Sequence, residues 1–128
     1  MFENATTFSG CSVSDLTLAR DFYEGKLGCS VEDDSMGLQL RLPGGQSHFL
    51  YQKDDHQPAA YTTLNFVVND IDQVIDELVA SGVSMERYDT LPATQDERGV
   101  LRGKAAGMGP DIAWFQDPFG NILAVLEA

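Results

Sequence analysis

Residues 68–82 read Val68-Asn69-Asp70-Ile71-Asp72-Gln73-Val74-Ile75-Asp76-Glu77-Leu78-Val79-Ala80-Ser81-Gly82. The apolar side chains Ile71, Val74, Ile75, Leu78 and Val79 recur at the i, i+3, i+4, i+7 spacing of a helix with one buried face. Asp70 followed by Gln73 fits a capping box, and Gly82 stands where a left-handed glycine ends a helix. A strand-like run, Thr62 to Val68, leads into it. The same plan is written earlier in the chain. Thr6 to Val13 is strand-like, Val13-Ser14-Asp15-Leu16 opens a helix, and Leu27-Gly28 closes it. Its apolar face, Leu16, Ala19, Phe22, Tyr23 and Leu27, is less regular.

Working outward, each helix is followed by further strand-like runs. In the first half these are Ser30-Asp33, Gly37-Leu42 and Ser47-Gln52, with a turn at Pro43-Gly44-Gly45. In the second half they are Ser84-Tyr88, Ile112-Gln116 and Ile122-Glu127, with a turn at Asp117-Pro118-Phe119-Gly120. The chain is therefore a βαβββ plan repeated. Asp15 and Asp70 are 55 positions apart, but Pro43 and Pro118 are 75 apart. About twenty extra residues must lie between Arg87 and Asp111, and loops of that length inside a compact domain are usually functional. The segment 89–110 reads as a lid-like loop, and its glycines Gly99, Gly103, Gly107 and Gly109 make it the expected site of lowest stability.

Composition narrows the function. A chain of 128 residues with 43% hydrophobic residues is the size of one globular domain. Its net charge of −12 would repel nucleic acid and anionic lipid, so neither is an expected partner. No apolar run approaches the ~20 residues that span a bilayer. Met1-Phe2-Glu3-Asn4-Ala5 has no signal-peptide character, and Cys11 and Cys29 form no disulfide or zinc pattern. A cytoplasmic protein with reduced thiols is expected.

Asp15-Leu16, Ala19-Arg20-Asp21-Phe22-Tyr23 and Leu27-Gly28, together with Asp117-Pro118-Phe119-Gly120-Asn121, resemble the first-helix and closing-hairpin signatures of the vicinal oxygen chelate superfamily. That superfamily contains glyoxalases, extradiol dioxygenases, fosfomycin resistance enzymes and bleomycin-binding resistance proteins. The resemblance spans nearly the whole chain. It implies an α+β fold in which the mixed sheets of two βαβββ modules curl around a shared cavity, helices outside. It also implies one domain over 1–128, with modules at about 5–53 and 60–128, and a homodimer.

By that resemblance, the positions that hold metal ligands in the family's enzymes fall on Phe8, Phe49, Thr63 and Ala124. None offers the imidazole or carboxylate that a divalent cation needs, so no metal and no other cofactor is expected. His48 is one residue off such a position, and one ligand makes no site. His56, in Asp54-Asp55-His56-Gln57-Pro58, reads as a solvated loop residue. Strand alternation then gives the cavity-facing set: Phe8, Gly10 and Ser12; Thr63, Asn65 and Val67; Ile112, Trp114 and Gln116; Ile122, Ala124 and Leu126; with Phe49 and Tyr51 added. The candidate ligand-binding residues are Phe8, Ser12, Phe49, Tyr51, Thr63, Asn65, Trp114, Gln116 and Ala124. Arg102, with Arg98 and Lys104 beside it, could meet an anionic or carbonyl-bearing ligand from the loop.

An aromatic pocket with a few neutral hydrogen-bonding groups suits a small molecule. The leading expectation is a metal-free protein that binds an aromatic or amphipathic ligand. An enzyme remains open, either a glyoxalase-like lyase or isomerase with displaced ligands or a metal-free catalyst using Tyr51, Asp96 or His48. So does a dimeric scaffold in which Phe8, Phe49 and Trp114 simply fill the cavity.

Overall fold

A computed structural model describes residues 1–128. The chain forms two compact units, Met1–Gln57 and Pro58–Ala128. In the first, strand β1 (Ser9–Val13) leads to helix α1 (Leu16–Arg20), then to β2 (Ser30–Asp34), β3 (Gly37–Arg41) and β4 (Ser47–Gln52). In the second, β5 (Thr62–Val67) leads to α2 (Ile71–Ala80), a short β6 (Leu101–Arg102), a single helical turn α3 (Gly103–Ala106), β7 (Asp111–Gln116) and β8 (Ile122–Glu127). Each unit builds a four-stranded mixed sheet, in the orders β1-β4-β3-β2 and β5-β8-β7-β6. The outer pairs β1–β4 and β5–β8 are parallel and the rest antiparallel. The α+β class and the repeated plan agree with the sequence.

Both helices start as their sequences dictate. Asp15 Oδ1 accepts the Leu18 amide and Asp70 Oδ1 accepts the Gln73 amide, each at 3.0 Å. The capping box at Asp70 is only half realised, because the Gln73 side chain donates to Glu77. Glu127 Oε2 satisfies a different first-turn donor, the Ile71 amide, at 2.9 Å. Gly28 and Gly82 end the helical segments at φ +72 and +89. The irregular face of the first helix has a structural cause: after Arg20 the chain continues as a π-helix over Asp21–Lys26. The wider turn lets the consecutive rings Phe22 and Tyr23 both point inward, perpendicular to each other at 5.1 Å.

One face of each sheet carries a helix and the core. In the first unit Val13, Leu38, Leu40, His48 and Leu50 are buried there with Ala19, Phe22 and Tyr23. In the second, Ile71, Ile75, Val100, Ala113 and Val125 form the center of the core, with Met85 packed against it. The closing turn is locked by Asp117, whose Oδ1 accepts the Phe119 and Asn121 amides at 2.9 Å while Oδ2 accepts the Asn121 side-chain amide at 2.8 Å.

The run Ser84–Tyr88 is not the strand that the sequence suggests. Only Met85 bridges to β7, at Phe115, and β6 continues the same edge further along. Register shows why. Val31–Leu40 in the first unit corresponds to Met85–Phe115, an offset of 54 on the outer strand, whereas Asp34–Gly37 corresponds to Leu101–Ile112, an offset of 67. Part of the extra length is therefore spliced into the edge strand, and the rest lengthens the connection from β6 to β7, where α3 lies. Within 89–110 the regular structure is β6 and α3, and the rest is turns and irregular backbone.

Candidate functional site

Register fixes which side chains share the face opposite the helix. In the first unit the rows across the sheet are Gly10–Phe49–Gln39–Glu32 and Ser12–Tyr51–Gly37–Asp34. Phe8 and Phe49 meet edge to face at 6.2 Å, and Phe49 and Tyr51 stack at 6.1 Å with planes 20° apart. Phe8 is 68% exposed and Tyr51 39%. Gly37 makes this ladder possible: a Cβ there would lie 2.1 Å from the Leu50 carbonyl oxygen and 3.2 Å from Phe49 Cζ. The backbone must be bare for β4 and the Phe49 ring to lie across it. A cavity of about 350 Å³ lies beside Phe8, lined by Thr7, Ser9, Gly45, Gln46 and Ser47.

Ser12 is half-buried, and its hydroxyl meets His56 Nδ1 at 2.5 Å. His56 is therefore not a solvated loop residue. Its amide donates to Lys53 O at 3.0 Å and the Lys53 amide to Val13 O at 2.9 Å, so a turn tied to the end of β1 carries the imidazole to Ser12. Sequence adjacency to Asp54 and Asp55 gave no hint, because Asp55 pairs with Lys53. His48 faces the other way, buried with its Nδ1 2.7 Å from the Ser9 hydroxyl.

In the second unit Asn65, Ala124 and Trp114 align across three strands, and Ile122 aligns with Gln116. Asn65 and Gln116 are exposed and Trp114 half-buried, but Ala124 has no exposed surface for a ligand to touch. Thr63 falls at a register shift of β5, and its hydroxyl donates to Ile122 O at 3.2 Å. Tyr88, a residue the alternation argument missed, stands edge to face with Trp114 at 5.6 Å. Buried Gln95 holds it there: Oε1 accepts the Tyr88 amide at 2.8 Å, while Nε2 donates to Glu86 O at 3.0 Å and Gly99 O at 2.6 Å. The Tyr88 hydroxyl oxygen is buried without a hydrogen-bond partner, and burial together with the nearby Glu86 carboxylate pushes the phenol's pKa up. Tyr88 also lines a cavity of about 440 Å³ within residues 87–95.

Arg102 stands on the opposite side from Trp114. Its register partner is Asp111, and its guanidinium grips both oxygens of Asp72 on α2, at 2.8 and 3.2 Å, and Asp96 Oδ2 at 2.9 Å. Arg98 reaches Asp76 at 2.5 Å and Asp72 at 3.3 Å, and Lys104 reaches Glu127 at 2.6 Å. Acids on the same unit pair with all three, Asp96 among them. Hydrogen bonds from Arg102 hold Asp72 below the ordinary carboxylate range, and backbone amides and Arg102 outweigh burial to lower Asp96 as well.

No group of three or more His, Cys, Asp or Glu side chains converges as a metal site would require. The positions matched to the family's metal ligands hold two phenyl rings, a methyl group, and a threonine hydroxyl already bonded to Ile122 O. These residues do not fit a divalent cation.

A family model, the glyoxalase/bleomycin resistance protein/dioxygenase superfamily, matches residues 10–125. The chain belongs to this superfamily. Among solved structures, a glyoxalase family protein from Bacillus anthracis is similar at TM-score 0.70 and 19% identity, over 99% of this chain and 98% of that one. The fosfomycin resistance protein FosX from Listeria monocytogenes gives TM-score 0.68 and 15% identity, over 98% and 93%. TnmS3, an antibiotic binding protein from Streptomyces sp. CB03234, gives 0.65 and 21%, over 97% of both chains. No curated protein matches the chain significantly. No helix is long and apolar enough to cross a membrane.

Proposed function

We propose that this superfamily member is a metal-free small-molecule-binding protein whose ligand is aromatic or amphipathic. The observation that carries the reading is the ladder Phe8–Phe49–Tyr51, which keeps large apolar rings at a sheet face instead of under the helix. Trp114 and Tyr88 give the second sheet an aromatic pair of its own. That one neighbor in the superfamily is an antibiotic binding protein supports the reading at the level of the scaffold. A homodimer belongs to the same proposal, and sizing chromatography with light scattering tests it.

Thermal shift against a panel of planar aromatic compounds, followed by emission of the single tryptophan, tests the binding reading. Trp114→Leu should weaken a true ligand about tenfold, or about 1.4 kcal/mol, and leave the fold intact. If Trp114→Leu unfolds the protein and no compound raises the wild-type Tm, the rings are core and the protein is a scaffold.

A second reading, a metal-free catalyst, is favored by one contact: the Ser12 hydroxyl at 2.5 Å from His56 Nδ1 has the spacing of a nucleophile and its base. Of the other candidates for catalysis, Tyr51 stays on the aromatic ladder, whereas His48 is buried on the helix side and Asp96 is committed to Arg102 and two backbone amides. A fluorophosphonate probe should label Ser12 in the wild type and not in His56→Gln; no adduct refutes the catalyst.

A further inference from the structure

Resting on the binding reading above, we infer that the ligand held at Trp114 and Tyr88 is an organic cation, with Glu86 as its counter-charge. Three observations in the unit Pro58–Ala128 converge on this. Its basic side chains are Arg87, Arg98, Arg102 and Lys104, and each is engaged. Arg98 and Arg102 hold Asp72, Asp76 and Asp96, Lys104 holds Glu127, and Arg87 donates to Asp96 O at 2.6 Å. Carboxylates thus meet three of the four charges, and Arg87, bonded to a carbonyl oxygen, keeps its own.

Glu86 is a carboxylate outside the ion pairs of this unit. Its amide donates to Trp114 O at 2.8 Å, which sets it beside that residue on the sheet edge. Met85 packs into the core on the helix side, so alternation turns the next side chain, Glu86, toward the face that carries Trp114. The carboxylate is also close enough to Tyr88 to act on its phenol electrostatically.

The rings supply the rest. Trp114 and Tyr88 lie edge to face, planes 82° and centroids 5.6 Å apart, at the sheet edge where the Glu86 amide bonds Trp114 O. Aromatic faces attract cations through their quadrupoles, tryptophan most strongly, and a nearby carboxylate adds to the attraction while repelling anions. The chain's net charge of −12 draws cations in and disfavors anions in the same direction.

The test compares proflavine, a planar cation, with anthraquinone-2-sulfonate, a planar anion, by calorimetry and thermal shift at pH 7.5. The cation should bind at least about tenfold more tightly, and its affinity should fall as salt is raised. Glu86→Gln should weaken proflavine five- to tenfold. Glu97→Gln, which removes the same charge from an exposed position away from Trp114, should leave it unchanged. Equal loss in the two variants would reduce the effect to net charge and overturn the role of Glu86. Equal or tighter binding of the anion would overturn the cation assignment while leaving the binding reading intact. Failure of both dyes to bind or to raise Tm would remove the binding face itself.

Discussion

Replacing Arg102 with methionine keeps most of the side-chain stem and removes every charged contact it makes. Those contacts are a two-pronged grip on Asp72 and a single bond to Asp96, all between 2.8 and 3.2 Å, and a longer ion pair with Asp111 at 3.7 Å. Charge-assisted hydrogen bonds are worth ~1.5–3 kcal/mol when desolvated, whereas exposed ion pairs are worth ~0.2–1 kcal/mol. The Arg102 side chain is 34% exposed, so solvent screening brings the three bonds together to about 2 kcal/mol. For a chain of this size that is a fall in Tm of about 6–10 °C. The pH dependence has a definite sign. Asp72 and Asp96 titrate below their ordinary values in the folded protein. Their contribution is therefore complete above the unfolded-state carboxylate range and is lost as pH falls through the depressed folded values. Urea denaturation should show a constant gap between wild type and Arg102→Met from about pH 8 to 5, narrowing below about pH 4. A gap under ~0.5 kcal/mol at neutral pH, or one that widens in acid, would refute the assignment of Arg102 as a clamp between the insertion and α2.

Tyr88→Phe should be neutral or stabilizing by about 1 kcal/mol in urea denaturation, because it removes a buried hydroxyl without a partner and keeps the ring against Trp114. Gln95→Ala should cost about 2–3 kcal/mol through three lost hydrogen bonds, and the Tyr88 amide should then exchange with solvent much faster. Gly37→Ala should lower stability by about 2 kcal/mol or more, since its Cβ would meet the Leu50 carbonyl oxygen at 2.1 Å. In native-state hydrogen exchange, residues 89–94 should open first, whereas the Val100 amide, bonded to Asp96 Oδ1 at 2.9 Å, should be protected.

Much of the fold was legible because its signals are local. Asp15, Asp70, Gly28 and Gly82 act within one turn of their helices, and period-two alternation put Ser12 with Tyr51 and Trp114 with Ala124 on shared faces, as the strand register does. What was not legible depends on contacts between residues distant in sequence. Arg102 is 30 positions from Asp72, and His56 is 44 from Ser12. No spacing rule links such pairs. The π-helix was visible only as irregularity in the apolar spacing of Leu16, Ala19, Phe22, Tyr23 and Leu27. Tyr88 was hidden by the assumption that Ser84–Tyr88 is a strand; a break in the strand pattern just before Pro92 was the available signal.

The splice in the edge strand connects these points. The chain leaves the edge of β7 after pairing at Trp114 and Phe115 and returns at Ile112, so the register of β7 with β8 is undisturbed by the excursion. Closing a longer loop costs little more entropy than closing a short one, roughly 0.6 kcal/mol for each doubling. Against this stand the full burial of Val100, the three bonds of Gln95 and the arginine contacts to α2. The insertion is therefore held by its own far end. With residues 95–102 anchored on the helix side, the near end is free to place Tyr88 against Trp114, on the opposite face of the sheet. A stable sheet edge can in this way acquire a new ring on the face away from its helix without any change to the strands that build the sheet.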